Sequence, residues 1–102
     1  ESINVLDKNL FVKLSYHQTP KSLLKLKLDK NLLLIIFKEI VKIDILNHNT
    51  QKYINISLKP FMAVTLSKGS VCNINYPKNS LIMQLESDDI DFDIEKKRDE
   101  TI

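Results

Sequence analysis

One glycine, one cysteine, three prolines and no tryptophan stand in a chain of 102 residues. Each scarcity excludes something. Phosphate-cradling loops and dinucleotide-binding turns need several glycines, so a lone Gly69 rules them out. A lone Cys72 excludes an intramolecular disulfide framework and points to a reducing compartment. The longest unbroken apolar run is Leu32 to Phe37, far short of the ~20 residues a membrane helix requires. Nothing near the N-terminus reads as a signal peptide. Arg98 is the one arginine, so the bidentate arginine contacts that dominate base reading are missing.

What remains is the composition of one folded domain. The chain is 43% hydrophobic and 27% charged, too apolar for disorder and long enough for a single core. Its net charge of +2 is unevenly spread. Residues 1–85 carry twelve lysines against five acids, and residues 86–102 three bases against eight acids. Lysines recurring every few residues read as solvated strand faces, not as a clustered patch. No direct nucleic-acid contact and no membrane contact is therefore expected. The acidic run Glu86–Glu95 either binds basic partners or forms the outer face of a last strand. The sequence reads as one barrel domain over 1–95 and a charged tail over 96–102, and its start at Glu1 and charged end suggest a piece of a longer protein.

Period two dominates. Apolar rows Val12-Leu14-Tyr16, Leu24-Leu26-Leu28, Val41-Ile43-Ile45, Ile54-Ile56-Leu58 and Ile90-Phe92-Ile94 alternate with polar residues. Such alternation places one strand face in a core and the other in water. Turn residues separate the runs, at Gln18–Lys21, Asp29-Lys30-Asn31, Asn47–Thr50, Lys59-Pro60, Ser67–Ser70 and Tyr76–Ser80. The expected fold class is all-β, an antiparallel β-barrel or two-sheet jelly-roll sandwich of nine or ten short strands with no helix beyond one turn. Residues 32–46 also allow a helix burying Leu33, Phe37, Ile40 and Ile43, but their β-branched content favours two strands divided by a hairpin or bend at Lys38-Glu39.

No catalytic constellation is visible and no cofactor is indicated. His17 and His48 fall in expected turns without carboxylates at ligand spacing. Cys72, on a face with Ile74 and Tyr76, reads as a small buried hydrophobe. Asn55-Ile56-Ser57 matches a glycosylation acceptor inside an expected strand, and Thr19-Pro20 a short proline-directed phosphate site; neither carries a function.

The order of elements resembles a family. Leu33–Phe37, a break and Ile40–Ile45 look like the hairpin of a cupin barrel, and Val64–Ser80, with Gly69 and Pro77 at its turns, resembles the second cupin motif. The likeness spans about residues 23–94. Enzymatic cupins hold a metal with two histidines and a glutamate on the first hairpin and a histidine on the second. This hairpin has no histidine, and Pro-x-Gly-x-x-His counted from Pro77 puts Asn79 at the glycine and Ile82 at the histidine. The sequence is similar to the metal-free cupin domains at the C-terminus of centromere protein C. That resemblance implies a non-enzymatic homodimerisation module of a larger nuclear kinetochore scaffold, partnered by itself and by proteins bound to that scaffold.

The run Leu32–Phe37 independently points to self-association, because both its faces are apolar. A tight hairpin makes Leu33, Ile35, Phe37 and Ile40 the outward set and candidate dimer interface; a bend makes it Leu32, Leu34, Ile36 and Ile40. A second sheet of the same chain covering this strand is the competing account. A nucleoplasmin-like module using the acidic 86–95 segment is the alternative function. A catalytic barrel requires His17 to meet a carboxylate in space.

Overall fold

A computed structural model describes residues 2–6 and 9–92, with side-chain burial for 9–92. Among the described residues there is no helix and there are nine strands: β1 (Ser2–Leu6), β2 (Phe11–His17), β3 (Lys21–Lys27), β4 (Asn31–Lys38), β5 (Val41–Asn47), β6 (Lys52–Leu58), β7 (Ala63–Leu66), β8 (Val71–Tyr76) and β9 (Ser80–Ser87). They form a five-stranded sheet, β1-β2-β9-β4-β7, facing a four-stranded sheet, β3-β8-β5-β6. Every pairing is antiparallel. The chain crosses between the sheets so that few sequence neighbours pair, the connectivity of a jelly roll. The all-β reading holds, and residues 32–46 are two strands.

Those two strands do not pair with each other. β4 lies between β7 and β9 in one sheet, and β5 lies between β6 and β8 in the other, so Glu39-Ile40 is a crossover and the hairpin is corrected. The side-chain parity expected of the hairpin nevertheless appears. Leu32, Leu34, Ile36, Val41 and Ile43 are all buried, the last four at 0–1% exposure, while Leu33, Ile35 and Phe37 are half-buried on the opposite face of β4. The reason is backbone geometry: a register shift between Ile36 and Lys38 and a positive φ at Glu39 rotate the chain before β5 begins. The outward set expected of a bend is thereby excluded.

The core joins the β4 row to Val41 and Ile43, Leu58 of β6, Leu66 of β7, Cys72, Ile74 and Tyr76 of β8, and Ile82 of β9. A buried isoleucine or leucine contributes roughly 1.5–3 kcal/mol relative to exposure. At β3 the expected row Leu24-Leu26-Leu28 holds at Leu26 and Leu28 and fails at Leu24. A register shift between Leu23 and Leu26 turns Leu23 and Leu26 toward the core and leaves Leu24 71% exposed. The Lys25 amide, at φ 52°, donates to Asn73 Oδ1 at 2.8 Å and pins the bulge. The expected strand over Ile90–Ile94 is also absent as far as Phe92: β9 ends at Ser87, whose hydroxyl accepts from the amides of Asp89 and Ile90. Ile94 and the tail 96–102 lie outside the described residues.

With one glycine available, the β3 bulge and the connections between strands use other residues in the left-handed region: Lys25, Glu39, Gln51, Phe61 and Asn79 all have φ between 52° and 70°. Side chains adopt this region at a steric cost of roughly 1–2 kcal/mol each, least for asparagine.

Candidate functional site

The strand that shapes the site is β2. Alternation assigns Val12, Leu14 and Tyr16 to the core and Lys13 and Ser15 to water. The register reverses this. Ser15 pairs with Ile82 and His17 with Ser80, and both partners are buried, at 1% and 0% exposure. Directly opposed residues in an antiparallel pair share a face, so Lys13, Ser15 and His17 point between the sheets. Val12, Leu14 and Tyr16, opposite Leu85, Met83 and Leu81, point out. β9 dictates the inversion, because Ile82 and Ser80 are the side chains it commits to the core.

Two features follow. The first is an apolar outer face on the five-stranded sheet. One cross-strand row runs Thr65, Leu33, Leu85, Val12, and the next runs Ala63, Ile35, Met83, Leu14. Among the large side chains of these rows none carries a charge, and all are half-buried by their neighbours. The expected interface residues Leu33, Ile35 and Phe37 lie on β4 within this face. Ile40 does not share a strand with them; it is 46% exposed in the crossover. Val12, Leu14, Met83 and Leu85 belong to the face and were missed, because period two alone makes an apolar row look like core. Phe61, 83% exposed, sits at the edge of this sheet, its amide donating to the Ile36 carbonyl.

The second feature is a cavity of about 40 Å³ between β2 and β9 on one side and β3 and β8 on the other. Lys13, Ser15, His17 and Gln84 line it from the five-stranded sheet, and Lys21, Leu23 and Tyr76 from the four-stranded sheet, with Ile82 at its wall. His17, expected in a turn, is the last residue of β2 and stacks on Tyr76, ring centroids 4.5 Å apart at 22°. Burial lowers the His17 pKa from its ordinary value, and Lys21 and Lys13 lower it further. Burial, then Cys72, pushes the Tyr76 phenol up to about 12. Among the described residues no carboxylate lines the cavity, so none of them makes there the pairing a catalytic barrel required. Ser80 Oγ, across the strand from His17, is fully buried without a hydrogen-bond partner among the described residues.

Metal chemistry does not fit these residues. Among the described residues no three His, Cys, Asp or Glu side chains converge, and the cations beside His17 oppose a metal there. Ile82 is core. Gly69, at φ 91° in the β7–β8 turn, gives the same Pro-x-Gly-x-x-His spacing a different landing point, Cys72. That thiol is 0% exposed and its pKa is raised by burial. His48 is exposed in the β5–β6 turn.

The acidic segment is engaged in local contacts where it is described. Glu86 accepts from Gln84 Nε2 at 2.7 Å, and Asp88 lies 3.8 Å from Lys68 Nζ on the surface. Residues 93–95 lie outside the described residues.

No protein-family model matches the chain, and no curated protein matches it in sequence. Solved structures do match. A cupin superfamily protein from Desulfitobacterium hafniense aligns with TM-score 0.69 at 15% identity, covering 87% of this chain and 77% of that one. KdgF from Halomonas sp. aligns with TM-score 0.71 at 11% identity, covering 88% and 79%. The DMSP lyase DddQ from Ruegeria pomeroyi aligns with TM-score 0.64 at 12% identity, covering 82% and 41%. The last corrects the expectation of a non-enzymatic domain: a lyase is built on this fold, so the fold gives no ground for excluding catalysis. The neighbours lend no support to the centromere protein C likeness, to a kinetochore role or to a histone-chaperone module. Two antiparallel sheets in this strand order, together with these neighbours, establish that the chain has a cupin-like fold.

Proposed function

We propose that the domain is a self-associating module in which the outer face of the five-stranded sheet pairs with the same face of a second copy across a two-fold axis. The apolar rows through Leu33, Leu85, Val12 and through Ile35, Met83, Leu14 carry this reading. With strands about 4.8 Å apart and about 3.4 Å per residue, a five-stranded face covers about 500 Å². That is near the upper size of apolar patches on monomers. Pairing two such faces buries about 1,000 Å², the lower edge of a specific interface. The dimer therefore forms and dissociates in an accessible concentration range, and an isologous contact closes at two copies.

A dimer of this kind suits the scaffold role that the centromere protein C resemblance implies, since two copies of a tethered chain gain avidity for repeated partners. Nuclear, centromeric placement rests on that resemblance alone; imaging the tagged full-length protein against a centromere marker tests it, and diffuse or extranuclear signal ends it. Self-association is tested by sedimentation velocity over a concentration series. Wild type sediments as a dimer at high concentration and Ile35→Glu as a folded monomer. A wild-type monomer at every concentration overturns the proposal.

A further inference from the structure

The cavity on the other side of the same sheet calls for its own explanation. Lys13, midway along β2, is half-buried and directed between the sheets, an arrangement that costs free energy unless its ammonium finds solvent or a counter-charge. Among the described residues neither Lys13 nor Lys21 is within ion-pair distance of a carboxylate. Two lysines and a histidine thus line, from both sheets, a partly enclosed space with no acid among its described lining residues. Glu86, the nearest inner-face carboxylate along β9, is engaged by Gln84. Leu23 from β3 and Ile82, which pairs with Ser15 on β9, add apolar lining beside these groups.

We propose that this cavity binds a small organic carboxylate, its oxygens held by Lys13, Lys21 and His17 and its short apolar part lying against Leu23 and Ile82. A volume of about 40 Å³ admits a group the size of a few waters. A lining that sets an aliphatic side chain beside a lysine on each sheet suits an acid with a small hydrocarbon body better than a phosphate, which is polar all round. Ser15 adds a hydroxyl donor to the lining, and the stacking of His17 on Tyr76 holds the imidazole in place.

Binding has a pH signature. The groups facing the imidazole are Lys13 on its own strand, Lys21 from β3 and Tyr76 from β8, with Glu86 farther along β9. Burial and the two lysines disfavour the imidazolium in the free protein, and a bound anion offsets both. The ligand therefore raises the His17 pKa, and affinity falls as pH rises through it, about tenfold for each unit of that shift.

The test is a titration of isotopically labelled full chain with sodium propionate, sodium phosphate and sodium chloride at matched ionic strength, followed by amide and imidazole resonances. Propionate is expected to give saturable shifts at Ser15, His17, Leu23 and Tyr76, to bind more tightly at pH 5.5 than at pH 8, and to bind at least about tenfold more weakly to Lys13→Met and Lys21→Gln. Resonance dispersion shows whether each variant is folded; Lys21 is exposed at the rim, so Lys21→Gln decides the matter if Lys13→Met misfolds. Shifts that do not saturate, that chloride reproduces, or that survive unchanged in the folded variants overturn the site. Phosphate binding more tightly than propionate overturns the carboxylate assignment.

Discussion

The two sheets present opposite outer faces. On the four-stranded sheet, Lys42, Asp44, Asn55, Ser57, Asn73, Asn75 and Ser22 lie side by side across the strands. Four of them close hydrogen bonds in pairs: Ser22 Oγ donates to Asn75 Oδ1 at 2.8 Å, and Asn55 Nδ2 donates to Asp44 Oδ1. On the five-stranded sheet the corresponding positions of β2, β9 and β4 are leucine, isoleucine, valine and methionine, with Thr65 and Ala63 at the β7 edge. A face that closes its own hydrogen bonds and carries charge is at rest in water, whereas an apolar face of this extent is at rest only when covered. The polarity missing from the second face has moved inside, to Lys13, Ser15 and His17.

The largest effect separates the two faces of β4. Ile36→Glu places a carboxylate at a position with 0% exposure and is expected to abolish folding, while Ile35→Glu, one residue away on the outer face, is expected to keep the thermal melt and lose the dimer. Loss of folding in both, or in neither, breaks the comparison.

Next come single charges on the two outer faces. Met83→Lys is expected to shift the sedimenting species to monomer, and Ser57→Lys on the four-stranded sheet to leave it unchanged. Equal loss of association in both would show that total charge, not the apolar face, controls pairing.

The inner polar wall contributes smaller, pH-dependent effects. The His17 pKa is lowered in the fold from 6.5, so on acidification the unfolded chain takes up its proton first. Stability is complete above the unfolded value and falls as pH drops through about 6.5 toward the folded pKa. His17→Gln should flatten that part of a melting-temperature profile. At the alkaline end the Tyr76 phenol, raised to about 12 from 10, resists ionisation in the fold, so stability falls as pH rises above 10. Phenolate absorbance tracks it.

The smallest effects are local. Ser80→Ala removes a buried hydroxyl that has no partner among the described residues and is expected to be neutral or slightly stabilising. Lys68→Ala, which breaks an exposed ion pair with Asp88, should change unfolding free energy by less than about 1 kcal/mol.

What the sequence determined by itself was the kind of most elements and several of the turns between them. Strict alternation in Val41–Ile45 and Ile54–Leu58, β-branched side chains in 32–46 and turn residues at Asn47–Thr50 and Ser67–Ser70 depend only on neighbours along the chain, and those segments are strands and turns in the structure. Scarcity of glycine likewise carried through, forcing Glu39 and Phe61 into left-handed turns. The side of each strand that faces inward was a different matter. Leu24 comes out through a bulge, Val12 and Leu14 face out because β9 opposes them with Met83 and Leu85, and β4 and β5 enter different sheets across Glu39. Alternation says that two faces differ, but it is symmetric under a one-residue shift. Only the partner strand, distant in sequence, breaks that symmetry, so both the apolar outer face and the cationic cavity were decided by tertiary pairing.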